Sequence, residues 1–181
     1  MQFLKKRSVA LLIAVVVIAL STILSVHRSL GAECATVEEG FYSGLNGMHS
    51  SISYQLNQCA RYANSLASIS SGYSDLDDLT FELRAARNEL LEGGSISMQY
   101  DDYLRLLEAF AAVSTELGSR ELGSHADDYD YCVSGFDGVC RTIAASGYNE
   151  SVREFRNSTL RAFPANVLYR IAGVDAPELF A

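Results

Sequence analysis

Four cysteines and three histidines are the side chains of this sequence best suited to chemistry. Cysteine thiolates act as nucleophiles, redox groups and metal ligands, and histidine acts as a base or a metal ligand. Nucleophilic catalysis needs such a base within reach of a cysteine or serine. His27 lies at the end of an apolar run, His49 and His125 lie among polar residues, and none carries a supporting motif. We therefore predict no catalytic residue and no enzyme.

A metal site needs clustered ligands at helical or loop spacing. Cys132 and Cys140 are too far apart in sequence for a zinc knuckle, and the acidic run 127–130 lacks the glycine and terminal glutamate of a calcium loop. The Glu-x-x-His pairs of di-iron bundles do not occur either. We expect no metal and no other cofactor.

Disulfide pairing is limited by helix geometry. Within one helix Cys132 and Cys140 would lie about 12 Å apart along the axis, beyond the roughly 7 Å limit for bridged α-carbons. They could pair only if residues 134–138 looped out. Counting turns from the shared end of the first and fourth helices brings Cys59 level with Cys140, so this pair is the better candidate disulfide. The alternative is that all four cysteines are small core residues.

The N-terminal region has the pattern of a membrane anchor. Residues 8–26 carry no formal charge and would span roughly 28 Å as a helix, close to the thickness of a bilayer core. Basic residues precede this run and acidic residues follow it, so the positive-inside rule predicts a cytoplasmic segment 1–7, a transmembrane helix 8–27 and an extracytoplasmic remainder. A cleaved signal peptide is the alternative, but its apolar core is usually shorter, roughly 7–15 residues.

The remainder of the chain is strongly acidic. Residues from His27 onward hold 11 of the 14 basic residues and all 22 acidic ones, so their net charge is −11. The arginines lie singly among acidic residues in the sequence. Such a surface repels phosphate, and we therefore expect neither nucleic-acid binding nor docking of the bundle onto anionic lipid. About 155 residues outside the bilayer suit one domain.

Helical periodicity fills this remainder, and no alternating strand pattern occurs. Apolar or small residues recur at steps of three or four in four segments. These segments are Leu30–Tyr73, Ser74–Gly94, Ser97–Gly118 and Ser124–Phe163. The first contains glycines that favour a break near Gly44–Gly47, and the last has a phase slip at Ser146–Gly147. Ser74 and Ser124 each have an aspartate three residues later, a capping pattern.

The second segment has a heptad seam, which favours coiled-coil packing against a partner helix. We predict an all-α fold in which the transmembrane helix is followed by an antiparallel up-down-up-down four-helix bundle with long first and fourth helices. The bundle would span residues 28–163, and residues 164–181 would form a C-terminal coda.

The segment from Tyr148 to Phe155, followed by the residues from Phe163 to Val167, resembles the C-terminal signature of the bacterial LemA family. The ending Leu179-Phe180-Ala181 is similar as well. About seven extra residues at 44–50 mark a divergent member. The resemblance implies a membrane helix joined to a four-helix bundle at the bacterial cell envelope, and no established catalytic activity. Five residues carry the family motif, with structural roles expected for each: Tyr148, Asn149, Phe163, Pro164 and Asn166.

Three of these roles can be stated physically. Phe163 would close the membrane-proximal end of the bundle, Pro164 would stop the fourth helix, and Asn166 would cap the coda. For the whole chain we expect a non-enzymatic, membrane-anchored scaffold or interaction module that binds a protein partner or self-associates. The alternatives are a lipid or small-ligand carrier with a cavity between the long helices and, third, a cysteine-dependent redox or hydrolytic protein.

Overall fold

A computed structural model describes residues 7–45 and 51–181. The described residues are helical and contain no strand, which confirms the predicted fold class. The α-helices are α1 (Arg7–Ser43), α2 (Ile52–Ser70), α3 (Asp77–Glu92), α4 (Ile96–Gly118), α5 (Ala126–Ala144), α6 (Tyr148–Phe155) and α7 (Ala165–Ile171). His49 and most of the predicted cytoplasmic segment lie outside the described residues.

Helix α1 is the one helix in the described ranges that is long and apolar enough to cross a membrane, and its apolar stretch is not buried inside the protein. It ends at Ser43, where Gly44 takes a φ of 83°. A positive φ is accessible to glycine at little cost, so the predicted break occurs at its first glycine. Residues 46 and 47 of that predicted break lie outside the described residues.

The chain forms two compact units. The anchor unit comprises Met1–Glu38 and Ser151–Pro177, and the bundle unit comprises Glu39–Glu150 and Glu178–Ala181. The last five residues of α6 and all of α7 group with the part of α1 that precedes Glu39.

In the bundle unit, α2 packs against α3 and α5, and α3 packs against α4. The heptad seam of α3 faces this core, with Leu83 fully buried. Other core side chains are Leu56, Cys59, Leu66, Leu106, Phe110, Val113, Leu117, Cys132 and Phe136. The fold therefore buries most of the residues that the periodicity identified, but on α4 it buries Leu106 and Val113 where the periodicity indicated Leu107 and Ser114.

Helix ends agree in part with the sequence signals. Gly93 and Gly94 have φ values of 73° and 148° and follow the end of α3, as predicted. Ser74 and Ser124, however, do not cap helices with their side chains. Each lies in a short 3₁₀ turn that precedes the α-helix. The backbone of that turn starts the helix without a side-chain cap.

The predicted fourth helix is interrupted. Helix α5 ends at Ala144, Gly147 has a φ of 69°, and α6 starts at Tyr148, in agreement with the phase slip at this point. After α6 the backbone widens into a π-turn, Arg156–Leu160, so the helix ends before Phe163. The sequence prediction that Pro164 stops this helix was therefore wrong, because the helix has already ended at the π-turn.

Candidate functional site

Two thiols from different helices meet in the bundle unit. Cys59 on α2 is fully buried, and its Sγ–H donates a hydrogen bond to Sγ of the half-buried Cys140 on α5. The packing of α2 against α5 produces this contact, which turn counting anticipated. Both cysteines are free thiols in the structure, so a disulfide between them stays a prediction.

A third helix contributes Tyr103 to the pair. Its hydroxyl, on α4, donates to Cys140 Sγ, and the side chain is almost entirely buried. The hydrogen bonds from Cys59 and Tyr103 favour the thiolate and lower the pKa of Cys140 to about 7, although burial opposes them. Burial, and then the bond to Cys140, raises the pKa of Tyr103. Cys140 is thus the group of this site that ionises most readily.

Sequence reasoning missed Tyr103. Its position on the apolar stripe of α4 indicated only a core residue. The available signal was its hydroxyl, because a buried tyrosine normally needs a hydrogen-bond partner.

The other two cysteines behave as core residues. Cys34 is buried in the anchor unit with Leu160 and Val174. Burial, followed by the negative charges of Glu38 and Glu33, raises the pKa of Cys34. Burial also raises the pKa of Cys132, which is not bonded to Cys140. Both thiols should be protonated and inert near neutral pH.

A groove runs between α4 and α5, whose backbones approach each other less closely than those of α3 and α4 or of α2 and α5. The rings of Phe110 and Phe136 stack across it with centroids 3.7 Å apart and an interplanar angle of 3°. The groove encloses about 670 Å³, and Tyr131 on its wall is 67% exposed. Cys140 also lines it. Cys140 is therefore reached from a surface groove whose lining is mainly apolar.

Cys140 lines a second, smaller cavity of about 280 Å³ together with Tyr103 and Phe180. Phe180 is buried there, with its ring centroid 5.8 Å from that of Tyr103 and 5.6 Å from that of Phe41. The C-terminal residues thus form one wall beside the thiol.

The C-terminal residues are held by the start of α6. Asn149 Nδ2 donates to the Phe180 carbonyl oxygen at 2.8 Å, and the Phe180 N–H donates to Asn149 Oδ1 at 2.9 Å. The Tyr148 hydroxyl donates to the Glu178 carbonyl oxygen at 2.8 Å. Two motif residues and the chain ending that resembles LemA therefore meet in space, with a structural role for each.

The remaining motif residues do not act as expected. Phe163 is 86% exposed, so the prediction that it closes the bundle was wrong; the π-turn before it leaves its ring outside the core. Asn166 does not cap the coda, because α7 already starts at Ala165, after Pro164, without a side-chain cap. Asn166 lies within the first turn of that helix.

Neither the described histidines nor the acidic run 127–130 supplies a metal site. His125 is exposed before α5, and His27 Nδ1 donates to the Ala172 carbonyl oxygen at 2.9 Å. Asp127, Asp128 and Asp130 are exposed. No group of three or more His, Cys, Asp or Glu side chains able to hold a metal ion occurs among the residues that were described.

Three arginines gather in the anchor unit, although they are separated in sequence. Arg156, Arg161 and Arg170 line a cavity of about 590 Å³ beside α7. The expectation of singly scattered arginines thus fails here, because the turn between α6 and α7 brings the three together. The missed signal was the stretch 155–174, which has three arginines and no acidic residue.

No family model, curated protein or solved structure matches this chain. The resemblance to LemA rests on the residues described above and stays a prediction.

Proposed function

We propose that this chain is a single-pass membrane protein whose bundle unit is a non-enzymatic interaction module on the extracytoplasmic side of a bacterial cell envelope. Helix α1 is the anchor in this proposal. The groove between α4 and α5 is the observation that carries the proposal, since an interaction module needs an accessible apolar surface.

The groove favours a partner of defined chemistry. Its floor is aromatic, and Tyr131 offers a large exposed ring of the kind that anchors protein interfaces. The bundle unit holds 18 of the 22 acidic residues but only six arginines. We therefore propose that the groove accepts a protein segment with an apolar face and basic flanks, for which the acidic surface accelerates association.

Membership of the LemA family is part of the same proposal. Its support is the meeting of Tyr148 and Asn149 with the backbone of the chain ending. The motif residues and the C-terminal residues lie some 30 positions apart in sequence. A shared signature would contain both if each needed the other for its hydrogen bonds.

Site-specific photocrosslinking in cells tests the groove. A photoreactive phenylalanine analogue replaces Tyr131 in one variant and Phe81 in the control, because Phe81 is 70% exposed but does not line the groove. We expect a discrete adduct at position 131, none at 81, and loss of the adduct when Leu107→Asp places a charge in the groove. Equal adducts at both positions, or none at 131, would contradict the proposal.

The thiol site favours a second candidate function, thiol–disulfide exchange with a disulfide substrate. The Cys140 thiolate would attack one sulfur of the substrate, forming a mixed disulfide and expelling the other sulfur as a thiolate. Cys59 would then attack Cys140 Sγ, release the second substrate thiolate and pass its proton to it. Two electrons thereby move from the two cysteines to the substrate disulfide.

Oxidised glutathione is a suitable probe for this second function. Incubation of the full chain in detergent should remove two hydrogen atoms and close a Cys59–Cys140 disulfide, seen by mass spectrometry of peptides. Cys59→Ser should stop at the glutathione adduct on Cys140, while Cys132→Ser should behave as the unaltered chain. Modification of all four cysteines at equal rates would rule out a dedicated exchange site.

A further inference from the structure

Helix α7 presents an unpartnered apolar face. Val167 and Ile171 are four residues apart and lie on one side of α7, and Phe163 lies in the turn before that helix. The side chains of Phe163, Val167 and Ile171 are 86%, 47% and 57% exposed. The opposite side is occupied, because Tyr169 and Ala172 pack against the buried cluster around Cys34.

The end of α7 is fixed at a defined level of α1. His27 Nδ1 donates to the carbonyl oxygen of Ala172, immediately after α7. His27 follows directly on the charge-free run 8–26. An apolar helix face thus lies at the boundary where α1 would leave the hydrocarbon core of a bilayer.

Positive charge accompanies this face. The cavity lined by Arg156, Arg161 and Arg170 is partly formed by Val167 of the same helix. Arg156 donates from Nε to the Pro177 carbonyl oxygen at 3.0 Å, and Arg170 donates from Nε to the Tyr169 hydroxyl at 3.2 Å. In the described part of the chain none of the three forms an ion pair with a carboxylate. Their charge is available to an external anion.

We propose that α7 docks on the membrane that α1 crosses, with Phe163, Val167 and Ile171 entering the headgroup region and the arginine cavity binding the phosphate of an anionic phospholipid. This inference rests on the proposed function, because it needs α1 to span a bilayer. A lipid satisfies both features at once, since its headgroup matches the arginines and its acyl chains match the apolar face. Free phosphate would leave the apolar face exposed.

The sequence contains no tryptophan, so single reporters can be introduced without background. Phe163→Trp reports on α7, and Leu20→Trp reports on α1. Phe81→Trp, at an exposed position of α3, reports on the bundle unit. Each full-length variant is placed in nanodiscs that contain phospholipids brominated near the headgroup end of the acyl chains, in a neutral or an anionic mixture.

We expect bromine quenching of Trp at 163, together with a blue-shifted emission, in anionic nanodiscs, and an unquenched reporter at 81. Quenching at 163 should follow the anionic fraction. Arg161→Gln should weaken the anionic-lipid dependence about fivefold, the effect of one cation near a charged surface. Arg105→Gln removes a charge from the bundle unit and should change nothing.

The Leu20→Trp variant is measured with lipids brominated deep in the acyl chains. It distinguishes failure of the proposed α7 docking from failure of the proposed membrane anchor. Quenching at 20 without quenching at 163 would overturn the docking of α7 and leave the anchor intact. Absence of quenching at both positions would contradict the proposed anchor as well. Equal quenching at 163 in neutral and anionic nanodiscs would overturn the lipid phosphate site. The site would also be overturned if inorganic phosphate reproduced the whole effect of anionic lipid on this quenching.

Discussion

Asn149 and Phe180 exchange two hydrogen bonds, in which the side-chain amide of Asn149 both donates to and accepts from the backbone of Phe180. Asparagine supplies a donor and an acceptor at the spacing of a backbone peptide group, which aspartate or leucine cannot do. The chain ending is thereby held at the start of α6, and the Phe180 ring is buried against Phe41.

Replacement of Asn149 by alanine should destabilise the bundle unit. Two partly buried hydrogen bonds are lost, and the Phe180 peptide is left unpaired, so we expect a loss of about 1–3 kcal/mol in the free energy of unfolding. Denaturant unfolding of the full chain in detergent measures this loss. Asn57→Ala is the control, because Asn57 donates only to a carbonyl in its own helix from an exposed position.

The same bonds can be tested by coupling. In a chain that lacks residues 180 and 181, Asn149→Ala should hardly change the free energy of unfolding, since the partner backbone is then absent. An equal cost of Asn149→Ala in the full-length and truncated chains would show that the two residues do not depend on each other.

Alkylation of Cys140 should depend on pH with a midpoint near 7. The bonds donated by Cys59 and Tyr103 lower its pKa to about 7, so the thiolate forms below the usual thiol range and its reactivity is lost as the pH falls through that value. Iodoacetamide labelling followed by mass spectrometry of peptides gives the rate at each pH.

Tyr103→Phe and Cys59→Ala each remove one donor, so the midpoint should move upward in both variants. Cys132 is the internal control, because burial raises its pKa and its labelling should be slow throughout. A midpoint near 9 in the unaltered chain, or no change in either variant, would contradict the hydrogen bonding at Cys140.

Two aromatic residues, Phe41 and Phe163, should differ sharply in their importance for stability. Phe163 is 86% exposed whereas Phe41 is fully buried. Phe163→Ala should therefore change the free energy of unfolding in detergent by less than about 0.5 kcal/mol. Phe41→Ala should cost about 3–5 kcal/mol. A large loss for Phe163→Ala would instead support the role that the sequence indicated.

Periodicity predicts which face of a helix is buried, and for this chain it identified the helical segments and most of their core faces. Glycine gave the breaks at Gly44, Gly93 and Gly147, because these positions need a positive φ. Turn counting along neighbouring helices was enough to predict that Cys59 and Cys140 lie at the same level. These predictions depend only on regular geometry.

The features that sequence reasoning missed depend on irregular backbone geometry or on contact with a third helix. Tyr103 meets the thiols through α4, whose rotation about its axis periodicity does not fix. The π-turn after α6 changes the direction of every following side chain, so Phe163 points outward and Arg161 joins Arg156 at one cavity. Local sequence patterns do not encode that change of direction.

Labelling of single cysteines on intact cells tests the central claim, a membrane anchor with the bundle outside. In a background where all four native cysteines are serine, Ser124→Cys places a thiol at an exposed position before α5, and Gln2→Cys places one in the basic N-terminal segment. A membrane-impermeant maleimide should label position 124 on intact cells and position 2 only after permeabilisation, with the chain resisting extraction by alkaline carbonate. Protection of position 124 until permeabilisation, or release of the chain by carbonate, would contradict it.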